Sequence, residues 1–102
     1  MGVNKLVHKQ LDSIYSTAKD LCTEYETKML PMNMIEKIVG MSIMSAKGLD
    51  KVSAKFVGNY NDVLHSLIKT CGITCTNMGG TKMPLKTFKS YIDLIKNNFG
   101  NQ

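Results

Sequence analysis

The chain has 102 residues, 43% of them hydrophobic and 21% charged, the balance of one ordinary folded domain and not of a disordered segment. Thirteen lysines and no arginine stand against eight acids, for a formal net charge of +5. No apolar run reaches the roughly 18 residues of a membrane span, and no basic segment followed by an apolar core opens the chain. An intracellular protein, cytoplasmic or nuclear, is therefore expected.

Leu6, Val7, Leu11, Ile14, Tyr15, Ala18, Leu21, Cys22, Tyr25 and Met29 recur at steps of three and four. They predict a long amphipathic helix from about Asn4 to about Lys28, closed off by Pro31. Asn33-Met34-Ile35-Glu36 has the form of a capping box and opens a short second helix ending near Gly40. Ser42 starts a third, ended or interrupted at Gly48, with Asp50 placed to cap a continuation through Phe56. Asn61 or Asp62 caps the next helix, in which Val63, Leu64, Leu67 and Ile68 share a face and Gly72 provides the stop. The stretch from Ile73 to Met83 reads as a long loop; Ile73 and Thr74 suit a short extended piece, with no partner strand evident. Pro84 then opens a last helix whose buried stripe is Leu85, Phe88, Ile92, Ile95 and Phe99 and whose end is Gly100. No internal repeat or linker divides the chain. The expectation is an all-α, compact single-domain bundle of about five helices over residues 1–102, framed by the long N-terminal helix and the C-terminal amphipathic one.

Motifs of the common hydrolases, phosphate-loop enzymes and zinc proteases are missing, and His8 and His65 are the only imidazoles. The chain therefore reads as a non-enzyme without a cofactor. Its three cysteines, an odd number, argue against a disulfide framework. Cys22 falls on the apolar face of the first helix. Cys71 and Cys75, with His65 and His8, are the available metal ligands, but their spacing is not that of a regular zinc site, and reduced thiols are the expectation.

The densest functional pattern is Ile35-Glu36-Lys37-Ile38-Val39-Gly40-Met41-Ser42-Ile43-Met44-Ser45-Ala46-Lys47-Gly48-Leu49. Read physically, two short helices fold about Gly40. The turn amides of Gly40, Met41 and Ser42 then point outward as an anion site, with Lys47 adding charge. This spacing resembles the helix-hairpin-helix DNA-binding module, over about fifteen residues. The resemblance implies a grip on the sugar-phosphate backbone without base reading. An overlapping register at Gly48 puts Asp50 where a phosphate would dock, which favours the first register. The candidate second hairpin, Gly79 to Phe88, carries Leu85 where the family has a small residue.

Charge supports the same reading. Residues 1–46 balance five lysines with five acids, whereas residues 63–102 hold five lysines and one acid. Lys82, Lys86 and Lys89 lie on or beside the last helix, and the lack of arginine predicts phosphate contacts with little sequence preference. The expected function is a small non-enzymatic nucleic-acid-binding module. The alternative is a helical interaction protein whose methionine-rich surface (Met29, Met32, Met34, Met41, Met44) binds another protein or its own copy. A basic helical domain beginning Met1-Gly2 is also similar in outline to retroviral matrix proteins. Leu6, however, occupies the position where acylation requires Ser or Thr, so membrane docking is not expected.

Overall fold

A computed structural model describes residues 3–44 and 54–99. The order is α1 (Val3–Glu24), β1 (Met29–Pro31), α2 (Met32–Met44), α3 (Ala54–Asn77), β2 (Lys82–Pro84) and α4 (Leu85–Asn98). With 82% helix the all-α expectation holds, built from four helices among the described residues where about five were expected. None of the described helices is long and apolar enough to cross a membrane.

The chain is folded as two copies of one helix–strand–helix unit. β1 and β2 pair antiparallel with Leu30 opposite Met83, Met29 opposite Pro84 and Pro31 opposite Lys82. The Met32 amide donates to the Thr81 carbonyl (2.8 Å) and the Leu85 amide to the Lys28 carbonyl (2.9 Å), two bonds exchanged by a two-fold through the sheet. The offset between the units is 53 residues, from Leu30 to Met83. Buried side chains follow it: Val7 and Tyr60, Leu11 and Leu64, Ile14 and Leu67, Ala18 and Cys71, Cys22 and Cys75, Ile35 and Phe88, Val39 and Ile92. The expectation that no repeat exists is thus corrected. In this arrangement α1 packs on α4 and α2 on α3, around one core.

The helix ends explain where expected boundaries moved. α1 stops at Glu24, not near Lys28, because Glu26 adopts a left-handed conformation (φ 51°). There the Glu26 amide donates to the Thr23 carbonyl (3.1 Å) and the Thr27 amide to the Cys22 carbonyl (2.9 Å), the paired bonds of a Schellman cap. α3 ends in the same cap 53 residues later. Gly79 has φ 79°, its amide donates to the Thr76 carbonyl (2.9 Å), and the Gly80 amide donates to the Cys75 carbonyl (3.1 Å). Gly72, expected to stop this helix, lies inside it, and Ile73 and Thr74, expected to be extended, are helical. Asn61 and Asp62 also fall within α3, so neither is its cap.

α2 begins at Met32, which places Asn33 inside the first turn and not at the cap of a capping box. It then runs unbroken through Gly40, Met41 and Ser42 to Met44. The hairpin turn expected at Gly40 is absent, and those three amides are bonded within their own helix. A Cβ at Gly40 would meet nothing within 4 Å, so no close approach requires glycine there. Of the third helix expected from Ser42, with its continuation through Phe56, Ser42 to Met44 belong to α2 and Ala54 to Phe56 to α3, while residues 45–53, with Lys47 and Asp50, lie outside the described residues, as do Met1-Gly2 and Gly100.

Among the described residues, Tyr60 carries one of three buried side-chain polar atoms without a hydrogen-bond partner, the others being Gln10 Oε1 and Asn61 Oδ1. Tyr60 is fully buried against Phe99 (ring centroids 5.8 Å apart, edge to face), yet its hydroxyl makes no hydrogen bond. Ser42 is the polar side chain facing it. Leaving a buried hydroxyl unpaired is costlier than removing it. Tyr60→Phe is therefore expected to stabilise the protein by about 1 kcal/mol in urea denaturation, and a loss of stability would show that the hydroxyl is bonded in solution.

Candidate nucleic-acid interface

A groove of about 720 Å³ lies between α1 and the start of α4. Tyr15, Lys19, Cys22 and Glu26 face it from α1 and the turn after it; Lys28, Leu85, Lys86 and Lys89 face it from the other side. The arrangement follows from periodicity. Tyr15, Lys19 and Cys22 are spaced at four and three, so one flank of α1 presents them in a row, and the turn after the helix adds Glu26. The Leu85–Lys28 hydrogen bond then sets the first turn of α4 against that flank.

Four lysines thus converge with one carboxylate, Glu26, in their midst. The amide end of α4, at Pro84 and Leu85, lines the same groove. Pro84 occupies its cap position with φ −63° and ψ 139°, makes no side-chain capping bond, and is followed by no acid in the first turn. The amides of Lys86 and Thr87, which have no partner within the helix, are left without a side-chain acceptor. Lysines crowded at this end are electrostatically unfavourable until an anion joins them. Lys89 is partly held already: its ammonium lies 2.8 Å from the Asp93 carboxylate and 5.7 Å from the centre of the Tyr15 ring. The bond to Asp93 raises the Lys89 pKa further, so the side chain carries full charge at neutral pH.

The expected site residues separate. Lys86 and Lys89 meet in the groove, whereas Lys82 projects from β2 into a neighbouring cavity of about 440 Å³ with Tyr25, Met34 and Cys22. Gly40, Met41 and Ser42 belong to α2 and take no part. Lys19 and Lys28 were not anticipated; the four-residue step from Tyr15 to Lys19 is the signal that places Lys19 on this flank.

Cys71 and Cys75 face the core, and burial pushes the Cys71 thiol up to about 12, with Cys75 one turn away adding to the rise. His65 is exposed on α3, and His8 bonds to the Lys96 carbonyl through Nε2 (2.9 Å) beside the Lys96–Asp12 ion pair (2.7 Å). Among the described residues no three His, Cys, Asp or Glu side chains cluster as metal ligands. Two helix–loop–helix units joined through loop strands are also the layout in which calcium loops are held, but those loops supply several carboxylates. Residues 25–28 and 78–81 contain one, Glu26. Of the methionines, Met29, Met32 and Met34 are half-buried, while Met41 and Met44 are exposed.

No family model matches the sequence, and neither a curated protein nor a solved structure matches it.

Proposed function

We propose that the protein is a small non-enzymatic nucleic-acid-binding module that receives a phosphate backbone in the groove between α1 and α4. The observation that carries this reading is the convergence of Lys19, Lys28, Lys86 and Lys89 on the uncapped amide end of α4. Ammonium groups without arginine forks neutralise phosphates but read no base edges, so binding is strong at low salt and indifferent to sequence.

The test is fluorescence anisotropy with a labelled duplex and a labelled single strand, at several salt concentrations between about 50 and 200 mM. If each lysine neutralises one phosphate, changing Lys19, Lys28, Lys86 and Lys89 together to Gln makes the slope of log affinity against log salt shallower by roughly 3 to 4 on duplex DNA. Lys82→Gln, on the other side of β2, leaves the slope within about 0.5 of wild type. An unchanged slope in the fourfold variant, or no binding by the wild type, rejects the reading.

Glu26 supplies a second handle. It is the carboxylate among the lysines and also the residue held at φ 51° where the equivalent cap has Gly79. Glu26→Gly is expected to tighten phosphate binding by roughly two- to fivefold, the scale of one exposed charge pair. It also relieves left-handed strain, for a net gain of about 0.5 to 1 kcal/mol after the added freedom of the unfolded chain. Weaker DNA binding with unchanged fold would count against the groove.

A second reading, binding of a protein through the methionine surface, is favoured by the exposure of Met41 (63%) and Met44 (82%).

A further inference from the structure

The two-fold repeat places two apolar grooves at equivalent positions. One, about 420 Å³, lies between α1 and α2 over Ile14 and Ile38; the other, about 360 Å³, lies between α3 and α4 over Leu67 and Tyr91. Each has one large apolar side chain standing on its rim, Met41 at 63% exposure in the first and Leu94 at 61% in the second. These rim residues are themselves related by the 53-residue offset.

In polarity the grooves differ, and they differ in a complementary way. Where the first carries Lys9, the second carries Asp62 at the matching position. Neither side chain takes part in an ion pair among the described residues.

We propose that the protein self-associates head to tail, the first groove of one copy closing on the second groove of the next. In that contact Leu94 of the incoming copy enters over Ile14 and Ile38, Met41 enters over Leu67 and Tyr91, and Lys9 meets Asp62. The occupant is a second copy because this chain carries both halves of the match: similar cleft sizes, one apolar knob for each cleft, and opposite charges at equivalent positions. The two faces are different surfaces of the molecule, so a pair of copies leaves one groove of each kind open. Association therefore continues beyond the dimer unless the rotation happens to close a ring.

Sedimentation velocity of the full chain, at concentrations from about 1 to 500 µM in about 150 mM salt with a reductant, tests the proposal. The average mass is expected to rise with concentration past that of a dimer. Lys9→Asp alone and Asp62→Lys alone each weaken association by about fivefold or more, because each turns an attraction into a repulsion. The two together restore it to within about twofold of wild type. Leu94→Ser, which removes the apolar knob, weakens it by about tenfold or more. All three positions are exposed, and circular dichroism verifies that each variant is folded. A monomeric wild type over the whole range, a closed dimer, or a double reversal as weak as the single ones overturns the proposal.

Discussion

Phe88→Ala is expected to lower the unfolding free energy by about 3 to 5 kcal/mol, the range for deleting a buried aromatic side chain. Phe88 is fully buried in the second turn of α4, just after the strand that carries Met83. Its counterpart Ile35 holds the same place in α2 after Leu30 and is equally buried, so Ile35→Ala should cost about 2 to 5 kcal/mol. A domain of this size has about 5 to 15 kcal/mol of stability in all, and each kcal/mol moves the melting temperature by roughly 4 to 8 °C. Phe88→Ala should therefore melt at least about 12 °C below wild type, whereas exposed Lys82→Gln should stay within about 0.5 kcal/mol. A loss below about 1.5 kcal/mol for Phe88→Ala would mean that the two units do not share one core around the sheet.

The second large effect is alkaline unfolding. Burial pushes the Tyr60 hydroxyl up to about 12 from its ordinary value of 10.0, and the Cys71 thiol up to about 12 from 9.0. Both folded-state values lie above those of the unfolded chain, so the folded protein retains protons that the unfolded chain releases. The stability they contribute is complete below about pH 9 and is lost as pH rises from there toward 12. At about 1.4 kcal/mol per unit, Tyr60 alone withdraws about 2 to 3 kcal/mol. Urea midpoints should be level between about pH 6 and 8.5 and then fall steeply, while a variant combining Tyr60→Phe and Cys71→Ala should show a much shallower decline. Equal midpoints at about pH 8 and pH 11 in the wild type would show both groups open to water.

Much of the fold was legible along the first and last helices. Val7, Leu11, Ile14, Ala18 and Cys22 form a stripe that periodicity finds unaided, as do Phe88, Ile92 and Ile95. The middle departs from expectation because its glycines do not end helices. Gly40 and Gly72 sit inside helices, where burial of Ile35, Val39, Leu67 and Cys71 outweighs a propensity loss of roughly 1 kcal/mol each. The actual stop of α1 depends on Glu26 accepting a left-handed conformation, which no local preference of glutamate announces.

The repeat stayed hidden for a related reason. Between residues 3–44 and 56–97, identity is confined to Leu11/Leu64, Ser13/Ser66, Thr17/Thr70, Cys22/Cys75, Thr23/Thr76 and Pro31/Pro84. The most visible echo, Thr27-Lys28-Met29 against Thr81-Lys82-Met83, is one residue out of the structural register, in which Leu30 faces Met83. A repeat of burial pattern without a repeat of residue types is invisible to comparison of letters. As for the basic groove, Lys86 and Lys89 stood out as charges on a helix, but their convergence with Lys19 and Lys28 depends on how α1 packs against α4. Charge and periodicity along one helix do not specify that packing.

The two prolines that end the strands set a limit on what the sheet can become. In this register Leu30 and Met83 form the hydrogen-bonded pair, and the flanking positions, held by Pro31 and Pro84, turn their backbone nitrogen away from the partner strand. On the outer edge of β1 an added chain meets the Pro31 ring and a Met29 amide already given to Thr27 Oγ1 (3.0 Å), and on that of β2 it meets the Pro84 ring beside the Lys82 amide. The ladder is blunted on both sides, which disfavours growth of the kind that builds fibrils.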